Sequence, residues 1–364
     1  MPFKPETKDE LLIAVNLWCD NKEEALKQYG EINTWDTVNI TDMSKLFKGK
    51  TNFNNDISNW NTSNVTDMSS MFLWCDRFNQ LLNSWDVSNV IYINHMFYDC
   101  FNFNHPLNNW DTSNVTDMNG MFNMCKCFNQ PLNNWNVSNV TNLEFMFSEC
   151  YKFNQSLNIW NVSNVTSTIG MFINCISFNQ PLNNWNVSKV IAMEIMFSGC
   201  KDFNQSLNSW NTSSVTNMRE MFYDCRSFNQ PLDNWNVSKV NYMTWMFNRC
   251  INFNKPLNDW DTSNVINMNN MFNNCKGFNK TLNNWDVSSV TSMSYMFNGC
   301  VNFNKPLDAW DVSKVIDISY MFNDCKKFNQ CLDDWELDSL EKCDNVMKGC
   351  DKYIFNKIQL QNIL

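Results

Sequence analysis

The sequence predicts an α/β repeat solenoid, and three observations predict it. First, the stretch 128–150, FNQPLNNWNVSNVTNLEFMFSEC, recurs with small changes every twenty-five residues from Thr51 to Cys350. Second, the recurrence is columnar. Counting positions from the Phe, position 1 is Phe and position 2 is Asn in all twelve copies, from Phe53 and Asn54 to Phe328 and Asn329. Position 5 is Leu or Ile, position 8 Trp, position 13 Val or Leu, and position 23 Cys. Third, each copy carries two apolar rhythms, a short alternating one and a longer one at spacings of three and four. A fixed period of this length marks repeats that bury their apolar faces only by stacking on one another.

Residues 1–30 stand outside the repeat and predict a helical N-terminal cap. Thr7-Lys8-Asp9-Glu10 reads as a capping box ahead of a helix with Leu11, Val15 and Trp18 on one face. Asn21-Lys22-Glu23-Glu24 repeats the pattern, and a second helix through Ala25 and Leu26 is expected to end at Gly30. Such a pair hides the open end of a solenoid core. Residues 31–50 form a degenerate first coil, with Trp35, Ile40, Met43, Leu46 and Phe47 on positions 8, 13, 16, 19 and 20. Twelve full coils follow, so the solenoid is expected over 31–350.

Within each coil, positions 5, 8 and 10, as in Leu132, Trp135 and Val137, are expected to face inward. Positions 8 and 10 predict one short parallel strand, about 4.8 Å from its neighbour. Positions 13, 16, 19, 20 and 23 fall at helical spacings and predict one short helix. Thr66, Thr116, Thr141 and Thr291 at position 14 are the expected N-caps. Ile91, Ile191, Ile266 and Ile316 cannot cap, so looser or 3₁₀ turns are expected there. The last coil decays around Leu337–Glu341. Residues 351–364, with Ile354, Phe355, Ile358, Leu360 and Leu364, are expected to fold back as a C-terminal cap.

A net charge of -10 and a pI near 4.7 argue against a nucleic-acid partner and against an anionic membrane surface. No apolar run approaches the roughly 18 residues of a membrane span. The opening MPFKPETKDELLIAVNLWC reads as a capped helix rather than a signal-peptide core, so a cytoplasmic or virion-associated protein is expected ahead of a secreted one. Twelve of the sixteen Cys occupy position 23. Neighbouring coils there are expected to lie too far apart for a disulfide, which needs Cα atoms within about 7 Å. Free Cys is also among the most buried residue types, so reduced, packed thiols are expected. Cys125, Cys127, Cys331, Cys343 and Cys350 are the candidates for oxidation.

The string FNQPLNNWNVSNVTNLEFMFSEC closely resembles the BspA-like leucine-rich repeat, in the variant first noted in mycoplasma surface lipoproteins. The N-terminal TKDELLIAVNLW and YGEINTWDTVNITDMSKLF resemble the cap on such proteins in protists and large DNA viruses. The resemblance spans about residues 7–350. It implies a right-handed leucine-rich-repeat-like solenoid and a role in surface display and protein binding. The chain departs from that pattern in showing no signal or lipid-anchor Cys near its start.

No catalytic constellation is legible. His95 and His105 occupy different positions and are expected on the surface or rim, without the third group that a nucleophile–base pair needs. In Cys125-Lys126-Cys127, Cys125 is expected inside and Cys127 nearer the turn, a core thiol rather than a zinc ligand. No Gly-rich phosphate loop occurs. Position 9 is Asp, Asn or Glu, but Asn136 to Asn236 are uncharged, so an Asx turn is expected there rather than a Ca²⁺ row. The position 2 Asn column is expected to satisfy buried turn groups, and Asn at position 6 to do the same. We therefore expect no enzyme, no cofactor and no metal.

Binding is expected where columns vary. Position 7, including Asn134, Asn184, Asn234 and Asp259, makes a polar, mildly acidic face suited to a basic or polar partner. Position 18 carries Phe145, Ile195, Trp245, Tyr295 and Tyr320. Such side chains either lie over the small residue of a neighbouring coil or stand exposed as an interaction stripe. The expected function is a non-catalytic scaffold that recognises a protein, or a glycan, through the solenoid surface. The alternative is a self-associating structural component of a virion or surface layer.

Overall fold

The computed structural model describes residues 2–353, so Ile354, Phe355, Ile358, Leu360 and Leu364 of the expected C-terminal cap lie outside the described residues. The chain divides into two compact units, Met1–Gln180 and Pro181–Leu364. Each is a repeat solenoid.

The first unit opens with helix α1 (Lys8–Asp20), helix α2 (Lys22–Tyr29) and a 3₁₀ turn, Ile32–Thr34. The Thr7 hydroxyl accepts from the Glu10 N–H at 3.2 Å, and the Asn21 side chain accepts from Glu24 at 3.2 Å. Gly30 closes α2. Leu11, Ala14, Val15 and Trp18 of α1 are buried. Trp18 meets Trp35 edge-on at 6.0 Å, while Lys8 Nζ donates to the Asp42 carboxylate and the Ser44 hydroxyl. The helix pair is thereby held against the first coil by an apolar contact and an ion pair.

Coils then follow one another through single parallel bridges at position 15. They run from Asp42 through Asp67, Tyr92, Asp117 and Asn142 to Ser167 in the first unit. In the second they run from Ala192 through Asn217, Tyr242, Asn267, Ser292 and Asp317 to Lys342. The inward columns are those the spacing predicts. In one coil of the second unit Phe228, Leu232, Trp235, Val237, Val240, Met243, Met246, Phe247 and Cys250 are all buried. Their rings form continuous piles. Phe228 packs on Phe222 at 4.3 Å and on Phe253 at 5.9 Å, and Trp235 lies 6.3 Å from Trp210 at an angle of 2°. Offset stacking of this kind adds to the burial of large rings.

Two local expectations are corrected. The short helix of each coil is absent among the described residues, and overlapping turns stand in its place. Alternate N–H groups leave the coil: Met68, Ser70, Phe72 and Trp74 donate to the carbonyls of Tyr92, Asn94, Met96 and Tyr98 at 2.8–2.9 Å. The intervening N–H groups turn back three residues, as Met71 to Met68, Leu73 to Ser70 and Cys75 to Phe72. A helix would spend every N–H four residues back and leave none for the next coil. The alternation needs left-handed backbone at positions 18 and 22, as at Ser70 (φ 56°) and Trp74 (φ 65°). A positive φ at the third residue is what a type II turn requires. With no helix to cap, Thr66 gives its N–H to the Thr41 carbonyl at 2.8 Å. Ile91 makes the same backbone bond to Thr66 at 2.8 Å, so Thr and Ile are equivalent there.

The strand expected at positions 8 and 10 is also absent among the described residues. Position 8 closes a turn on position 5, as Trp85 N–H to Leu82 at 3.1 Å. Position 13 closes one on position 10, as Val90 N–H to Val87 at 2.9 Å. Two corners this close leave no extended run to pair.

Phe228→Ala opens a cavity between three stacked rings and is expected to cost ~3–5 kcal/mol. Asn234→Ala, on an exposed position 7, is expected to stay within about 0.5 kcal/mol. Thermal melts check the order of the two.

Candidate interaction surface

The surface is defined by what the core columns already use. At position 2, within each unit, the Asn side-chain oxygen accepts the position 2 N–H of the following coil: Asn79 N–H to Asn54 Oδ1 at 2.9 Å, then Asn104 to Asn79 at 3.0 Å and Asn129 to Asn104 at 2.9 Å in the first, and Asn254 to Asn229 at 3.0 Å in the second. These amides are half-buried or exposed rather than buried as expected, but the role is the expected one. Asn at position 6 does the same for position 7, as Asn108 for Asn134 at 3.2 Å and Asn208 for Asn234 at 3.0 Å. Position 9 makes the expected Asx turns, with Ser138 N–H donating to Asn136 Oδ1 at 3.1 Å and Ser288 N–H to Asp286 Oδ1 at 3.0 Å. Hydrogen bonds from Ser88 and Ser288 hold the Asp86 and Asp286 carboxyls below the usual range. Position 15 forms a second Asx column, Asp67 accepting from Ser69 at 2.7 Å, which the sequence analysis did not anticipate.

Indoles and thiols close the remaining acceptors. The Leu82 carbonyl takes the Trp85 N–H at 3.1 Å and the Trp110 indole N–H of the next coil at 2.9 Å. The Phe72 carbonyl likewise takes the Cys75 N–H at 3.0 Å and the Cys100 thiol at 3.0 Å. Among the described residues no disulfide joins any of the sixteen cysteines. Burial pushes the Cys100, Cys125, Cys225 and Cys250 thiols well up, and Cys350 at the column's end to about 11. Of the oxidation candidates, Cys125 is buried, Cys127, Cys343 and Cys350 are half-buried and Cys331 is exposed.

What remains outside is the varied set. Asn134, Asn184, Asn234 and Asp259 are exposed at position 7. At position 18 every residue is left-handed, including Phe145 (φ 53°), Ile195 (φ 52°), Trp245 (φ 63°), Tyr295 (φ 57°) and Tyr320 (φ 58°). For non-glycine residues that conformation costs roughly 1–2 kcal/mol each. The side chains lean on the following coil. A Cβ added at Gly170 would fall 2.5 Å from the Phe145 ring, and one at Gly120 would fall 2.7 Å from His95. Tyr295 stacks on Tyr320 at 4.6 Å. Phe145, Ile195, Tyr295 and Tyr320 are half-buried, whereas Trp245 is 37 % exposed. His95 is half-buried, and burial lowers its pKa. His105 bonds the Asn79 carbonyl at 3.1 Å.

The columns also leave apolar side chains in water that the sequence analysis did not assign to a surface: Trp74, Tyr92, Phe101 and Tyr242, with Ile91, Ile191, Ile266 and Ile316 at position 14. No helix among the described residues is long and apolar enough to cross a membrane.

A family described as Mycoplasma protein of unknown function, DUF285, matches residues 19–119, 105–209, 170–276 and 243–359. No curated protein matches the chain. Among solved structures, the chain is similar to one in the crystal structure of a TLR13–ssRNA13 complex, at 9% identity and a TM-score of 0.28 over 88% of this chain and 52% of that one. It therefore spans about half the length of that relative. The plant peptide hormone receptor RGFR1 in complex with RGF2 matches at 8% identity and a TM-score of 0.15, over 85% of this chain and 79% of that one. Likenesses at these scores carry no weight for fold or function.

Gly170→Ala is expected to destabilise by about 1–3 kcal/mol beyond the backbone cost, because the Phe145 ring fills the space. Gly49→Ala, with φ 75° and open space around the new methyl, isolates that backbone cost, about 1 kcal/mol. In a Phe145→Ala background the Gly170 penalty should fall toward the Gly49 value, leaving only what the Ile173 methyl, 2.8 Å from the same point, still costs, as a double-mutant cycle by chemical denaturation reads out.

The thiol column adds a pH dependence. The unfolded chain releases thiol protons from about pH 8.5, while the folded chain holds them. The stability from the protonated column is complete below that pH and is lost as pH rises above it. Denaturation midpoints at pH 7 and pH 9.5 should show the fall, and buried-Cys→Ser variants a smaller one.

Proposed function

The chain belongs to the family described as Mycoplasma protein of unknown function, DUF285, and we propose that it is a non-catalytic binding scaffold, a BspA-like member that recognises a protein partner through its repeating surface. The observation that carries this reading is the division of labour within each coil. Positions 1, 2, 5, 8, 13, 19, 20 and 23 are nearly uniform and are spent on packing or on the backbone of a neighbouring coil, while positions 7 and 14 differ from coil to coil and are largely exposed, and position 18 varies but is mostly half-buried or buried, with Trp245 exposed. Uniform columns beside varied ones are what a recognition surface needs.

We read the protein as no enzyme and as needing neither cofactor nor metal, since His95 packs over Gly120 and His105 serves a backbone carbonyl. A glycan is the second ligand class, through the amides and hydroxyls of positions 7, 9 and 11. The charge of -10 disfavours nucleic acid. We expect a cytoplasmic or virion-associated protein with the right-handed winding that the BspA-like resemblance implies.

Exposed Ile191, Ile266 and Ile316 favour one second reading, side-by-side self-packing as a structural component. Sedimentation velocity over a wide concentration range separates the two: a strict monomer supports the scaffold, and reversible assembly supports self-packing. Proximity labelling in the native cell should then yield a protein that binds the purified chain. Tyr295→Gly with Tyr320→Gly, or substitutions at position 7, should weaken that binding, and total insensitivity to both columns would sink the scaffold reading.

A further inference from the structure

We propose that Tyr223, Trp245 and Arg249 form the hot spot of this surface, and that it takes an anionic peptide segment of a partner protein, a carboxylate beside a bulky apolar side chain. The inference rests on the scaffold reading and names the chemistry of its partner.

The three residues lie in two successive coils of the second unit and touch. The Tyr223 ring sits 6.0 Å from the Trp245 ring, and the Arg249 guanidinium lies over the Tyr223 phenol at 5.9 Å. Trp245 is 37 % exposed and Arg249 is exposed, with Tyr242, three residues before Trp245, at 44 %. Trp, Tyr and Arg are the residue types that dominate binding hot spots. Their backbones are fixed before any partner arrives. Trp245 (φ 63°) and Arg249 (φ 62°) both hold left-handed conformations, with their N–H groups bonded to Asn269 at 2.9 Å and Asn273 at 2.8 Å. A preset backbone lowers the ordering cost of binding.

Charge selects the occupant. Three of the chain's four arginines fall here, Arg219, Arg226 and Arg249. Arg219 pairs with Glu220 at 2.6 Å and Arg226 with Asp224 at 2.9 Å. Arg249 has no carboxylate partner among the described residues. The Trp245 indole N–H also lacks a hydrogen-bond acceptor there, whereas the core indoles, such as Trp235 to Leu207 at 2.9 Å, each serve a carbonyl. Residues 203–250 carry Arg219, Arg226, Lys239 and Arg249 against Glu220, Asp224 and Asp233, a net of +1 in a chain of net -10. An acidic partner is repelled by most of the molecule and admitted at this point, which is how complementary charge sets specificity.

The test pans a random-sequence peptide display library on the full chain and measures the affinities of the enriched peptides as synthetic probes. Enriched peptides should carry Asp or Glu beside an aromatic or large aliphatic residue. Arg249→Gln and Trp245→Gly should each weaken their binding roughly tenfold or more. Glycine suits the left-handed backbone at 245, and thermal melts confirm that both variants stay folded. Lys314→Gln, a distant exposed cation, should leave binding within about twofold, set against that hot-spot loss. Peptides that bind but ignore both substitutions would overturn this site and leave the scaffold reading standing. Failure to enrich any peptide would overturn both. A dimer that dissolves on Arg249→Gln would assign the patch to a second copy and overturn the assignment to a separate partner.

Discussion

The structure depends on one constraint: a coil built from turns cannot satisfy its own backbone. A helix or a wide sheet pairs its N–H and C=O groups by construction, whereas these coils contain neither among the described residues. Buried backbone groups left unpaired would each cost about 1–3 kcal/mol, and the same debt would recur in every coil. The uniform columns of the sequence are the solution. Position 2 amides serve the N–H of the following coil, and indoles and thiols reach carbonyls of the preceding one. The N–H groups of positions 16, 18, 20 and 22 serve the following coil directly. Side-chain identity is thus dictated by backbone accounting as much as by packing. Trp at position 8 fills the core and also supplies the second donor to a carbonyl that already accepts one.

That constraint separates what was legible in the sequence from what was not. Burial was legible, because the apolar columns at positions 1, 5, 8, 13, 16, 19, 20 and 23 are the same in any winding of this period. The Asx turns at position 9 and the cap residues Thr7 and Asn21 were legible too, since their bonds are local. The helix was misread for a specific reason. Spacings of three and four describe overlapping turns with bonds three residues back as well as they describe an α-helix. The discriminating signal lay at position 22, where nine of thirteen residues are Gly, Asn or Asp, the types that tolerate left-handed backbone. Position 18 hid the same requirement behind Phe145, Ile195 and Trp245. The strand was misread because alternation at positions 8 and 10 marks two corners placed close together rather than an extended run.

The candidate surface was half legible. Variation along positions 7 and 18 pointed to it, and the structure keeps position 7 exposed. Position 18 is mixed. Phe145 covers Gly170 and Tyr295 covers Tyr320, so these rings serve packing first, while Trp245 keeps an exposed face. No sequence spacing brings Tyr223, at position 21 of one coil, against residues at positions 18 and 22 of the next. That contact follows from side chains leaning on the neighbouring coil out of a left-handed backbone. The strain at position 18 is tolerated because the following coil holds the backbone on one side and the ring on the other.

Hydrogen exchange at the tryptophan indoles tests the central claim most directly, because those protons report on one bond per coil. In a sample labelled with ¹⁵N at the indole nitrogen, Trp85, Trp110, Trp135, Trp235 and Trp285 donate to buried carbonyls at 2.7–3.2 Å and should exchange slowly. Trp74 and Trp245, exposed and without an acceptor among the described residues, should exchange at once. Two well-separated classes, with the position 8 indoles released only on global unfolding, is the result this account predicts. Equal, rapid exchange at every indole would contradict it, for the columns would then not be joining coil to coil.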